Sequence, residues 1–567
     1  MKLSETFKIA AVFIVLFVSN VSAFELKVLG LEKPEQSNVS SYLAYLKTNP
    51  LEQVSNRAVQ SAVDKALNPF GYYHSKVELE RVNNANLIVH VESGPRTTIK
   101  SIEIDFECSL EDELDFDELE KASRLKIGEP LSHQDYDGLK RNIERLAIQK
   151  GYLLGSFTKS ELKVLPSSNF AFVKLQFNCG EKYYFGRTSV RGSQIDEFKL
   201  TNLQPFNEEE PFQLTKLSEY QTKLSETGWF RSAVVTAEYD EADDNHQVPI
   251  SVEVIPNAKN QVEVGGGYSV DVGVRASLRW RQPWYNEKGH SFESRLDLSK
   301  PKQTLGLGYR IPTENVLMES YDIQFKAEHI DYLDTKSFLG DLRFAKSWQL
   351  DEHWLTSLYL KYHGESYTQA GVEGTSRLLM PGISFAYLTH KQNRSELRHK
   401  HEYAVEFSER QFFSDTPVLR ITGSSLVSFD ITSSQKLNFR YDFGANITDA
   451  PEELPSSLRF FSGGGESIRG YQYNSVSPVD SNGELTGAQY MMSAGLEYQY
   501  NVHKSWWLGG FVDIGDAFDS KPEPKFGTGM SIIWESQYVP IKLDIARSVN
   551  DQSTDDWRLH LSVGTQF

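Results

Sequence analysis

The chain has 567 residues, a formal net charge of −18, 12% aromatic residues and 38 glycines. It is too long for one ordinary domain, and its acidic balance excludes the basic face that nucleic acids require. Beyond residue 23 no apolar run reaches the length of about eighteen residues that a membrane helix needs, so any membrane crossing must be made by strands.

Lys2 and Lys8 precede an apolar run from Ile9 to Val18, which gives way to Ser19-Asn20-Val21-Ser22-Ala23. A basic flank, about ten apolar residues and a small-x-small end read as a secretory signal peptide over residues 1–23, cleaved after Ala23. The competing reading is a buried N-terminal helix, which the short run and small polar end disfavour. No cysteine follows the cut, which argues against an acylated start.

From Phe24 to Asn257 one pattern recurs three times: a short strand, two helical segments and two further strands. It divides the region into modules at 24–94, 95–181 and 182–257. The marker of each is a glycine followed by an aromatic at the end of the second helix: Gly71-Tyr72, Gly151-Tyr152 and Gly228-Trp229. Glycine there can take the left-handed conformation that closes a helix, and the aromatic can fold over the module core. The near-constant spacing of the glycines indicates repeated units. Ser132 with Asp135 starts a helix whose apolar face is Tyr136, Leu139, Ile143 and Leu146.

The only cysteines, Cys108 and Cys179, fall at the ends of the first and last strands of the second module. If those strands are parallel neighbours, an exported chain could join the two cysteines by a disulfide. The bond would close a loop of roughly seventy residues and add about 4 kcal/mol in the chain-entropy account. Nothing in the modules has the spacing of a metal site, a nucleophile elbow or a phosphate loop, so no enzyme activity and no cofactor are expected. Exposed sheet edges suit extended peptides joining as an added strand; simple spacer modules are the alternative.

Residues 258–567 alternate with a period of two, as in Ser291–Leu298, Lys436–Tyr441 and Ile541–Ala546. About sixteen such runs of roughly ten residues have the length of tilted membrane-crossing strands, although a soluble sandwich shows the same alternation. Trp280, Trp284-Tyr285, Trp348, Trp354 and Trp506-Trp507 lie near run ends, as interfacial girdles do. The last residues alternate up to Phe567, as a strand that closes a barrel would. The expected fold is three α+β modules, each β-α-α-β-β, followed by a sixteen-stranded antiparallel transmembrane β-barrel.

Within this half, Gly463-Gly464-Gly465-Glu466-Ser467-Ile468-Arg469-Gly470-Tyr471 interrupts the alternation. The glycines free the backbone, and one permanent cation follows among a β-branched residue, a glycine and an aromatic. Two readings fit: a long loop folded into a hollow interior and pinned by Arg469, or an ordinary surface turn.

Together these features resemble the POTRA-plus-barrel superfamily of outer-membrane assembly proteins over essentially the whole mature chain, and three modules rather than two or five resemble its TamA branch. The resemblance implies outer-membrane location with periplasmic modules, and help in inserting or secreting outer-membrane proteins such as autotransporters. It also implies a TamB-like partner anchored in the inner membrane. The family's lumen-loop motif is matched by Ile468-Arg469-Gly470-Tyr471, and its acidic Phe-x-Asp motif by Phe511-Val512-Asp513; Arg469 and Asp513 would then pair in the lumen, unless Asp513 is merely one of many lumen-facing polar residues. A barrel that inserts others needs a wall that opens. Gly265, Gly266 and Gly267 in the first strand, with Gly564 and Phe567 in the last, make the seam between them the expected weak line. A transporter passing one dedicated client through the lumen is the competing function.

Overall fold

The computed structural model describes residues 24–48, 51–83, 86–107, 119, 123–351, 353–389, 398–535, 540–549 and 557–564. The signal-peptide segment 1–23, Cys108 and Phe567 lie outside the described residues.

The first module runs β1 (Glu25–Leu29), α1 (Glu35–Leu43), α2 (Asn56–Leu67), β2 (Lys76–Asn83) and β3 (Asn86–Glu92). The second contains β4 (Thr98–Glu107), α3 (His133–Gln149), β5 (Ser156–Leu165) and β6 (Phe170–Asn178). The third contains β7 (Tyr184–Arg191), α4 (Glu197–Thr201), α5 (Leu214–Glu226), β8 (Phe230–Ala237) and β9 (Gln247–Pro256). In each sheet the last strand is central, giving the orders β1-β3-β2, β4-β6-β5 and β7-β9-β8. The reason is visible in the burial of β6, where Ala171, Val173, Leu175 and Phe177 are all buried, whereas edge strands alternate less deeply. The Ser132 hydroxyl accepts from the Asp135 N–H at 3.2 Å, and Tyr136, Leu139, Ile143 and Leu146 are buried, as the sequence expects of α3. β4 and β6 are parallel neighbours, with Glu107 opposite Asn178, and Cys179 is buried in the core of this module.

Contacts divide the chain into two units. One comprises Met1–Arg187, Phe206–Lys216 and Ala237–Ile250, and the other Thr188–Pro205, Leu217–Thr236 and Ser251–Phe567. Within the first, the glycines that close the second helices do more than end them. Gly71 has φ +87°, and a Cβ there would lie 2.6 Å from the Leu131 carbonyl oxygen in the next module. Its carbonyl accepts from the Thr97 N–H at 2.8 Å, and the Thr97 carbonyl accepts from the Leu131 N–H at 2.8 Å. Gly151 repeats this arrangement: its carbonyl accepts from the Tyr183 N–H, and that of Tyr183 from the Phe212 N–H, both at 2.9 Å. Each glycine-aromatic corner is therefore a joint to the following module.

In the second unit the same corner meets the barrel. Gln261–Ser269 (β10) to Arg558–Val563 (β25) form a closed barrel in which every neighbour in the chain is a neighbour in the wall. The Trp229 indole donates to the Gly289 carbonyl at 3.1 Å, on the turn after the second barrel strand β11 (Gly273–Gln282). The Trp284 indole in turn donates to the Asn257 carbonyl at 2.9 Å. Trp229 thus packs against a barrel turn as well as against Phe230 of its own module, and Trp284 joins the module to the barrel through Asn257. Trp507 also departs from the girdle expectation: adjacent residues on a strand face opposite ways, so Trp506 points out and Trp507 is buried inward, beneath the Lys436 ammonium.

Two outcomes follow from the joints. A Cβ at Gly289 would lie 2.2 Å from the Trp229 ring, so Gly289→Ala should expel the indole at a cost on the order of 3 kcal/mol, and limited proteolysis should then cut near residue 258 at least several-fold faster. At the first joint, Tyr73 Oη and His133 Nε2 are 2.8 Å apart. Burial lowers the His133 pKa, with Asp137 opposing, and burial raises that of Tyr73. A lowered histidine pKa means that the unfolded joint binds more protons, so stability is full above the ordinary histidine value and falls as pH drops through about 6.5. Protection of the amides around residues 71–73 in the full chain, taken relative to their intrinsic exchange rate at each pH, should fall on acidification, and not in His133→Phe.

Candidate functional site

The loop between β20 (Gln435–Ile447) and β21 (Tyr490–His503) folds into the barrel interior. Gly463, Gly464 and Gly470 have φ values of +104°, +99° and +100°, conformations that side chains rarely adopt. These turns bring Ile468 and Tyr471 together as a buried apolar pair with Val476 and leave Arg469 pointing at the wall, itself only 3% exposed.

The wall that receives Arg469 is built by register. On β21 and β22 (Trp506–Phe518), Gly495 lies opposite Asp513 and Glu497 opposite Phe511. On β23 (Lys525–Trp534), Gly527 and Gly529 continue the two rows. All of these positions share the inward parity of their strands. Arg469 Nε donates to Asp513 Oδ2 at 2.7 Å, Nη2 to Asp513 Oδ1 at 2.9 Å, and the Arg469 backbone N–H to Oδ2 at 3.1 Å. Nη1 donates to Glu497 Oε2 at 2.5 Å, and the guanidinium carbon stands 3.3 Å from the centre of the Phe511 ring. A forked, charge-assisted bond on a ring face is arginine's geometry and not lysine's. The glycines make room: a Cβ at Gly495 would meet Asp513 Oδ1 at 2.5 Å, and one at Gly527 would overlap the Arg469 carbonyl oxygen.

Sequence reasoning named Arg469, Phe511 and Asp513, and the structure brings them together. It missed Glu497, whose charge is shared with the Lys542 ammonium at 2.9 Å, although an acidic residue amid the alternation of Leu496-Glu497-Tyr498 is a readable inward signal. It also missed the far anchors of the loop. On β16 (Trp354–Gln369), Glu365 accepts from the Ser456 hydroxyl at 2.6 Å and the Ser457 N–H at 3.1 Å. Arg420 and Asn446 both donate to the Leu458 carbonyl, at 2.6 and 2.7 Å. The loop is therefore fastened to opposite sides of the lumen.

The seam residues lie where the barrel closes. Gly265, Gly266 and Gly267 pair with Ser277, Ala276 and Arg275 of β11. A Cβ at Gly267 would lie 2.5 Å from the Val563 carbonyl oxygen, and one at Gly564 (φ +105°) 3.0 Å from that of Gly266. These glycines thus permit close approach of the end strands, beyond leaving them sparsely packed. Among the described residues, β10 and β25 share only the register pairs Tyr268–Val563 and Ser269–Ser562, with one further bond from the Val270 N–H to the Leu561 carbonyl at 3.1 Å.

A model of the Omp85 superfamily domain matches residues 259–567. The chain belongs to the Omp85 superfamily. Residues 25–93 match the POTRA domain described as TamA domain 1, and residues 183–257 match the surface antigen variable number repeat, a POTRA family. Among solved structures, the chain is similar to BamA from Haemophilus ducreyi lacking POTRA domains 1–3, with a TM-score of 0.70, 14% identity, and coverage of 83% of this chain and 100% of that one. It also matches CdiB from Acinetobacter baumannii at a TM-score of 0.46 and 12% identity, covering 94% of this chain and 99% of that one. The barrel of this Omp85 protein lies in the outer membrane, and its POTRA modules lie in the periplasm.

Arg469 bonds two buried carboxylates, so its removal strips Asp513 of its forked charge-assisted bond and leaves Glu497 to the Lys542 ammonium. Arg469→Gln should lower the stability of the folded barrel by about 3–5 kcal/mol, read as a lower temperature for loss of the compact band on a gel. Exchanging the charges, Arg469→Asp with Asp513→Arg, should rescue only partly, because Glu497 would then face the new carboxylate; adding Glu497→Gln should improve the rescue.

Proposed function

We propose that this Omp85 protein is a TamA-type assembly factor that promotes insertion or secretion of outer-membrane proteins such as autotransporters through its lateral seam. Its POTRA modules couple the barrel to a TamB-like partner that spans the periplasm. The observation that carries this reading is the asymmetry of the wall. β16 and β17 (Val372–Leu388) are 16 and 17 residues long, whereas β10 is 9 residues and β25 is 6. A crossing strand needs about 9–11 residues, so among the described residues the wall is shortest where its pairing is also thinnest.

Parting that seam exposes backbone donors and acceptors that hydrocarbon cannot satisfy, at several kcal/mol for each group. A client strand satisfies them by pairing, and the bilayer beside short strands is already thinned. The interior loop, fastened on both sides of the lumen, makes the lumen a poor path and the wall the better one. Module edges such as β5, exposed along much of its length, offer extended clients an earlier place to pair.

Ser269 and Ser562 are register partners across the seam, within the cross-strand distance at which a disulfide forms with small adjustment. Ser269→Cys with Ser562→Cys should abolish client insertion into proteoliposomes under oxidising conditions and recover it on reduction. Unchanged insertion in the locked protein would overturn the seam reading in favour of passage through the lumen.

A further inference from the structure

The seam carries a feature that register alone does not explain. Asp271 lies in the turn between β10 and β11, and His560 on β25; their side chains meet across the closure, with Nδ1 and Oδ1 3.1 Å apart. Each has its second polar atom held by the interior loop. The Gly465 N–H donates to Asp271 Oδ2 at 2.8 Å, and the Gly470 N–H donates to His560 Nε2 at 3.3 Å. Because Nε2 accepts from Gly470, Nδ1 carries the proton and donates to Asp271, so one neutral tautomer satisfies every bond.

We propose that Asp271 and His560 form a catch across the seam and that the seated loop holds it shut. His560 is buried and Asp271 half-buried, and both are positioning residues confined by the loop while it is in place. Asp271 Oδ2 lies 3.2 Å from where a Cβ of Gly465 would stand, and a Cβ at Gly470 would lie 2.8 Å from the Arg547 backbone on β24 (Ile541–Ser548). Arg469 comes immediately before Gly470, so its grip on Asp513 and Glu497 sets the position of the amide that orients His560. Withdrawal of the loop removes one bond from each member of the catch, and a parted seam pulls Asp271 and His560 off the loop. The two movements are one transition, which links an event in the lumen to an opening in the wall.

The inference rests on the seam reading above, and the test separates the two. The full chain in lipid nanodiscs is followed by hydrogen exchange of the backbone amides in 261–270 and 558–563. Asp271→Ala and His560→Ala should each raise exchange there about tenfold, equivalent to about 1.4 kcal/mol and in line with one hydrogen bond to a charged group. Arg469→Gln, whose side chain touches neither end strand, should do the same, and combining it with His560→Ala should add little. Exchange in β16 and β17 should stay unchanged, showing an intact barrel. Normal seam exchange in Arg469→Gln, or additive effects in the combination, would overturn the catch. If the disulfide lock made by S269C with S562C abolishes insertion while catch variants leave exchange unchanged, the catch fails and the seam reading stands. If the lock leaves insertion intact while catch variants raise exchange, the catch stands and the seam reading fails.

Discussion

The barrel half of this protein is organised around one buried guanidinium. Arg469 is enclosed by Asp513, Glu497 and the Phe511 ring, and each of the charged groups would be expensive to bury alone. Their mutual satisfaction explains features that otherwise look incidental: glycines flanking Asp513 on both neighbouring strands, an acidic residue between Leu496 and Tyr498, and the positive φ of Gly463, Gly464 and Gly470 around Arg469. A buried ion pair of this kind contributes little net stability over an apolar replacement. What it contributes here is position, since an arginine fork accepts its partner in one orientation only.

Position matters because the loop reaches the groups that close the barrel. The wall opposite the seam is long and fully laddered, while the closure relies on short strands, close-packed glycines and a side-chain pair whose geometry the loop completes. Among the described residues, long and short pairings are thus separated around one circumference. A membrane barrel cannot leave strand edges bare in lipid, so a thinly paired closure depends on the side-chain contacts beside it.

Much of this was legible in the sequence, and the limits have physical causes. Period-two alternation over residues 258–567 specified strands and their inward faces, because side-chain parity is a local property. The three modules were legible because Gly71, Gly151 and Gly228 mark helix ends with a residue that few substitutes can replace. Their second role, as joints, was not: it depends on Leu131, Phe212 and Gly289, each remote in sequence. Likewise Trp506-Trp507 read as a pair at an interface, although adjacent strand positions must diverge. Asp513 was recognisable through a motif, whereas Glu497, Glu365, Asp271 and His560 acquire their roles only from register and closure, which no short segment encodes.

The place of the loop in the chain sets what its seat requires. Its tip is cradled by β23, β24 and β25, all of which come later in the chain, and a Cβ at Gly527 or Gly470 would collide with the Arg469 carbonyl or the Arg547 backbone. The seat is therefore complete only when the last strands are in place, with His560 among the groups that finish it. Completion of the loop's seat and closure of the cylinder draw on the same final residues.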